Sequence, residues 1–244
     1  APARQVAGSG TTVREMLSTE ALLSEVLPSV NRIVRLPDDV AVNVCVTCTQ
    51  TALPWVMVGP AVLPPDTNGD VGPDHYLQAV NILLKIFDKS GATLLGPVLI
   101  MTLFFGFGGP CATSEDGDPV VLYDHLADRW LISQLGAAFI GPPFHQCIAI
   151  SQTGDPTGAY YRYDFQMPND NFNDYPKFGV WPDAYYMSDN QFQPPAFNFA
   201  GAGVFAFERA KMLTGDPTAS YIYFDLESVD SSIGGLLPAD LDGT

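Results

Sequence analysis

Three short stretches of this 244-residue chain carry one pattern at nearly constant spacing: Pro73-Asp74-His75-Tyr76-Leu77, Ala127-Asp128-Arg129-Trp130-Leu131 and Pro182-Asp183-Ala184-Tyr185-Tyr186. The Asp residues are spaced by 54 positions (74 to 128) and 55 positions (128 to 183). In each stretch a small turn residue and the Asp precede an aromatic that opens an apolar run. A fixed period of this size is the signature of a repeat architecture, and units of roughly 40–50 residues built from short strands indicate a β-propeller. The sequence therefore predicts an all-β, β-propeller-type repeat over residues 56–244 with about three blades visible. Equivalent turns should hold Asp74, Asp128 and Asp183, and Tyr76, Trp130 and Tyr185 should point into equivalent layers between blades.

The content of one period agrees. Four runs rich in β-branched and aromatic residues follow one another: Val120 to Tyr123, Trp130 to Ser133, Cys147 to Ser151 and Ala159 to Tyr163. Gly, Asp and Pro separate them, as turn chemistry requires. Lys85 to Lys89, Arg162 to Asp164 and Ala206 to Arg209 look alike and read as the closing strand of each unit. The crossover helices that a parallel sheet needs are missing, and only Arg209 to Leu213 reads as helical.

Residues 1–55 differ and form a separate N-terminal region. Thr12 and Glu15 have capping-box spacing, and Val13, Met16, Leu17, Leu22, Leu23, Val26 and Leu27 recur at helical period until Pro28. A short amphipathic helix, a linker and a strand over Val40 to Val46 are expected there.

The formal net charge of −16 excludes nucleic acid as a partner, because phosphate contact needs clustered Lys and Arg. The stretch from Gly91 to Ser114 holds no charge, but Gly96-Pro97 and Gly106 to Pro110 interrupt it, so a buried strand with glycine-rich turns is expected rather than a membrane span. Of the four cysteines, Cys45 and Cys48 sit in a β-branched run, on opposite faces of a strand, which suits neither a thioredoxin-like site nor zinc. Cys111 and Cys147 bracket one repeat unit. They are the expected disulfide if the chain is exported, although sequence alone does not fix connectivity.

Asp66, Asn68, Asp70 and Asp74 occupy positions 1, 3, 5 and 9 of what resembles the front half of a calcium loop. Val71 stands where Gly is expected and Leu77 where a closing Glu is expected. Calcium at these four residues is one expectation; an Asp/Asn turn bonded to its own backbone is the other. No Gly-x-Ser-x-Gly elbow occurs, the three His have no metal-ligand spacing, and Gly201 to Ala206 reads as strand rather than as a dinucleotide loop. Paired carboxylates such as Asp118 with Asp124, or Asp183 with Glu208, are the only acid/base candidates.

The runs Pro64 to Tyr76, Gly117 to Trp130, Ser151 to Tyr161 and Trp181 to Tyr186 together resemble a poorly characterised family of large secreted bacterial proteins with an N-terminal propeller-like region. Adhesion or cell-anchoring modules often follow that region. The resemblance implies export and a surface or matrix role, and it implies no activity. The expected function is a secreted, non-catalytic module that binds or adheres to a glycan or an extracellular protein. A carbohydrate-active hydrolase or lyase using paired Asp/Glu and a purely structural surface protein are the alternatives. Propellers normally need four to eight blades, so residues 56–244 are expected to be part of a longer parent, with self-association between chains as a further expectation.

Overall fold

The computed structural model describes residues 33–35, 56–58 and 64–241. The expected helix over residues 12–27, the strand over Val40 to Val46, and Cys45 and Cys48 lie outside the described residues. Two short strands, β1 (Ile33–Arg35) and β2 (Val56–Val58), pair antiparallel.

The rest is β, as the sequence predicts. Three four-stranded antiparallel sheets follow in chain order, each a simple meander. Sheet 1 comprises β3 (Asn68–Val71), β4 (His75–Val80), β5 (Leu83–Asp88) and β6 (Thr93–Leu99). Sheet 2 comprises β7 (Val120–Asp124), β8 (Arg129–Gly136), β9 (His145–Ser151) and β10 (Tyr160–Gln166). Sheet 3 comprises β11 (Phe172–Val180), β12 (Tyr185–Gln193), β13 (Asn198–Phe207) and β14 (Tyr221–Asp225). The four strand runs anticipated in the second unit match β7 to β10. Asp74, Asp128 and Asp183 all lie in the turn between the first and second strands of their sheets. The closing-strand likeness does not hold: Lys85 to Asp88 and Ala206-Phe207 belong to third strands, whereas Arg162 to Asp164 belong to a fourth. A short aromatic run beside a charge occurs on both third and fourth strands, so local composition does not separate them. Arg209–Met212 is a single helical turn, here α1.

Sheet 2 is the middle layer, which explains its composition. Along β8, Trp130 and Ile132 join Leu77, Ile86 and Cys147 in the core shared with sheet 1. Leu131, between them, joins Ile148, Ile150, Tyr185, Met187, Phe205 and Phe207 in the core shared with sheet 3. A strand buried on both faces reads as a continuous apolar run, and Trp130 to Leu135 are all buried. Trp130 and Tyr185 both reach back to the preceding sheet. Trp130 lies so close over Gly72 that a Cβ there would come within 2.7 Å of the indole. Tyr185 donates a hydrogen bond to Asp124 Oδ2 at 2.7 Å.

The charge-free stretch folds as β6 followed by a 3-10 turn, Ile100–Phe104, with Ile100, Leu103, Phe104 and Phe107 buried. Among the described residues no helix is long and apolar enough to cross a membrane. The connection to sheet 2 is tied down by a disulfide between Cys111, in the turn Pro110–Ala112, and Cys147 on β9, with Cα atoms 5.5 Å apart. It closes a loop of 36 residues. Replacing both cysteines by Ala should cost about 3–4 kcal/mol in the chain-entropy picture. Urea unfolding of that variant beside the oxidised parent checks this; an unchanged midpoint would show that the crosslink contributes nothing to stability.

Candidate binding face

The first strands of the three sheets lie side by side and run the same way. Side chains rather than a backbone ladder join them. Asn68 Oδ1 accepts from Val121 N–H at 2.7 Å, Asp70 Oδ2 from Tyr123 N–H at 2.6 Å, and Asp118 Oδ2 from Tyr175 N–H at 3.1 Å. The segment after β14 returns to β11 in the same manner, with Asp240 Oδ1 accepting from Val180 N–H at 2.5 Å. Alternate residues of a strand share one side, so Asn68 and Asp70 both reach β7.

This arrangement separates the residues expected to share a calcium ion. Asp66 precedes β3 at one end, Asn68 and Asp70 bond the β7 backbone, and Asp74 sits exposed in the turn at the other end. Five extended residues alone span roughly 17 Å. Among the described residues no group of three or more His, Cys, Asp or Glu side chains is placed to hold a metal ion. The two carboxylate pairs differ, since Asp183 and Glu208 sit just beyond the opposed residues Tyr185 and Phe207 at one end of sheet 3. Asp118 and Asp124 flank β7 at opposite ends. Asp183 accepts from Tyr186 Oη at 2.9 Å, and Glu208 accepts from Lys211 Nζ and from Ser220 N–H and Oγ.

The end at which the first strands begin is chemically distinct. It gathers Asp66, Asp118 and Asp174 around Lys177. Burial, together with repulsion from Asp118, pushes the Asp66 and Asp174 carboxyls above the usual carboxylate range. Burial pulls the Lys177 ammonium down, against the opposing pull of Asp118, Asp66 and Asp174. Lys177 Nζ also lies 3.6 Å from the centre of the Tyr175 ring, a cation–π contact.

Left-handed backbone accumulates at the same end. Nine described non-glycine residues have positive φ, and all but Asp128 lie here: Asp66, Asn81, Asp118, Ala137, Asn169, Asp170, Tyr175 and Phe197. Asn and Asp tolerate this conformation, but for Ala137, Tyr175 and Phe197 it costs about 1–2 kcal/mol each. Tyr175 falls at the break in register between Asp174 and Lys177 that aims it outward. The turns also expose apolar side chains. Phe139 is 85% and Ile140 77% exposed between β8 and β9, and Phe197 is 45% exposed between β12 and β13. Phe197 packs edge-on to Phe144 and Phe172, with ring centres 6.3 and 6.0 Å apart, which joins the turns of sheets 2 and 3.

Beneath this face lies a buried polar row. Gln146 donates to the Gln134 carbonyl and accepts from Asn173 Nδ2 at 2.9 Å, while Gln191 Oε1 accepts from Asn171 Nδ2 and, at 2.7 Å, from Tyr223 Oη. Among the described residues, the side-chain oxygens of Gln134, Asn171 and Asn173 have no protein donor. On β12 the Asp189 carboxyl is buried, and Gly203 N–H donates to its Oδ1 at 2.9 Å. Burial pushes its pKa up to about 7, with Asp174 and Asp225 adding to the rise.

At the opposite end Asp124 is fully buried and closes a knot between sheets 2 and 3. Arg209 donates from Nε at 2.7 Å and from Nη2 at 2.9 Å, and Tyr185 Oη and the N–H groups of Leu126 and Ala127 complete its shell. Buried hydrogen bonds tie this end together, whereas the other presents strained turns and exposed rings. No protein-family model, curated protein or solved structure matches the chain.

Proposed function

We propose that the chain is a secreted, non-catalytic, propeller-type module that binds a glycan or an extracellular protein. Its binding face is the end where β3, β7 and β11 begin. The carrying observation is the concentration there of left-handed non-glycine backbone, which persists where surrounding structure over-determines it and clusters at binding sites. Exposed Phe139, Ile140, Tyr175 and Phe197 supply apolar and aromatic surface, and Asp66, Asp118 and Asp174 supply acceptors for hydroxyl or amide donors. Loops on a rigid scaffold are the usual place for such groups. The propeller reading is supported by three successive four-stranded meanders with adjacent first strands. Secretion is supported by the disulfide.

A glycan array probed with the purified chain, with and without calcium, tests this. The expected result is binding that falls roughly tenfold or more in Phe139→Ser/Ile140→Ser and in Tyr175→Ala, with melting temperature retained. Glycan binding unaffected by either variant would move the site elsewhere. A requirement for calcium would favour the metal expectation at Asp66, Asn68, Asp70 and Asp74. Absence of any glycan binding would favour a protein ligand or a structural surface role.

A further inference from the structure

We infer that β14 is a self-association edge, at which two copies of this chain pair antiparallel about a twofold axis centred on Tyr223. Each sheet ends in an outer strand, and an uncovered strand edge normally carries a device against pairing. Strand β6 is interrupted by Gly96-Pro97, with shifts in its register against β5. Strand β10 carries Arg162 and Asp164. Strand β14 reads Tyr-Ile-Tyr-Phe-Asp, with neither charge nor proline before Asp225, and Ile222 and Phe224 are 61% and 60% exposed.

The backbone is placed for it. Glu208 N–H donates to Ser220 C=O, and Leu226 N–H donates to Ala202 C=O. With Phe224 opposite Val204 and Ile222 opposite Ala206, the hydrogen-bonded pairs fall at the even-numbered residues of β14. The N–H and C=O groups of Tyr221 and Tyr223 therefore point away from β13, toward an edge that pairs with no strand among the described residues.

The strand is also self-complementary. A twofold axis at Tyr223 sets Tyr223 against its own symmetry copy and Tyr221 against the copy's Asp225, the outward-facing positions. It sets Ile222 against the copy's Phe224 on the exposed face, an aromatic–β-branched pair of the kind that stabilises antiparallel strands. Asp225 meets Tyr221 rather than another Asp225. Twofold pairing of one surface with itself is the commonest route to a dimer. Because each copy carries −16, repulsion opposes the pairing and salt should strengthen it. The edge touches the proposed binding face only at Asp225, which accepts from Asn169, and Ile222 and Phe224 are not among the residues assigned to that face, so substitutions at these two test the pairing alone.

Analytical ultracentrifugation of the full chain over a range of concentrations, at low and high salt, tests the inference. The expected result is a reversible monomer–dimer equilibrium, tighter at high salt. Ile222→Lys/Phe224→Lys places like charges opposite each other and should weaken the dimer roughly tenfold or more. Ile222→Lys/Phe224→Glu places Lys opposite Glu in the proposed register and should retain the dimer, now weakened by salt. Both substitutions are on exposed positions, and thermal melting verifies that each variant folds. A chain monomeric under every condition, an assembly larger than a dimer, or two double variants that behave alike would overturn the inference.

Discussion

Replacing Arg209 by Met should destabilise the chain by about 3–5 kcal/mol, because it strands a fully buried carboxylate. In a protein of this size that corresponds to a fall in melting temperature on the order of 10 °C. The two guanidinium contacts to Asp124 form a fork that a lysine cannot reproduce, so Arg209→Lys should recover only part of the loss. The charge, not the vacated volume, is the cause. Adding Asp124→Asn to Arg209→Met should therefore restore stability relative to Arg209→Met alone. Asn retains an oxygen at Oδ1 for the N–H groups of Leu126 and Ala127, its amide N–H can donate to Tyr185 Oη where the carboxylate accepted from it, and it removes the unpaired charge. Denaturant midpoints at constant slope give the coupling directly. An Arg209→Met loss below about 1 kcal/mol would mean that water reaches Asp124, as at a surface pair. The knot would then not fasten sheet 2 to sheet 3.

Sequence alone revealed the repeat but not the face or the knot, for different reasons. A turn and the aromatic after it are local, so Asp74, Asp128 and Asp183 mark equivalent turns whatever the rest of each unit contains. The Asp124–Arg209 contact joins residues 85 positions apart, and no local pattern predicts it. The proposed binding face is similar. Asp66, Asp118 and Asp174 meet because three strands begin at one place, and within its own segment each is an ordinary turn or strand residue. The calcium-like pattern has a second reading that the strand supplies. Ligand positions 1, 3 and 5 of a metal loop alternate with period two, and so do residues on one side of a strand. Asn68 and Asp70 satisfy both patterns, and in this fold the alternation aims them at the β7 backbone. Strand β14, in contrast, had a legible signal in Tyr221 to Phe224, a short alternating aromatic and β-branched run.

Stability should fall as pH rises from about 4 to about 7, and Asp189 should be a principal cause. Its carboxyl is taken out of water, and Asp174 and Asp225 add repulsion, so its folded-state pKa rises to about 7. The unfolded chain releases this proton near pH 4, at the ordinary aspartate value. Between those values the folded state holds a proton that the unfolded state has lost. Stability must therefore decrease with rising pH across that window and level off above it. At about 1.4 kcal/mol per pH unit, the window is worth on the order of 4 kcal/mol. Carboxylates with lowered values, such as Asp88, Asp216 and Asp230, work in the opposite sense at lower pH, so the raw profile mixes signs. A difference profile isolates Asp189. Asp189→Asn keeps an oxygen for Gly203 N–H and does not titrate. Below pH 4 the variant and the parent should be nearly equal in stability, and by pH 8 the variant should be clearly the more stable. The close approach of Asp189 Oδ1 to Gly203, where a Cβ would come within 2.4 Å, makes Asn a better choice than any longer side chain. Urea unfolding of both proteins at several pH values measures the effect. Parallel profiles would mean that Asp189 ionises freely in the fold, and the polar row beneath the proposed binding face would then be open to water.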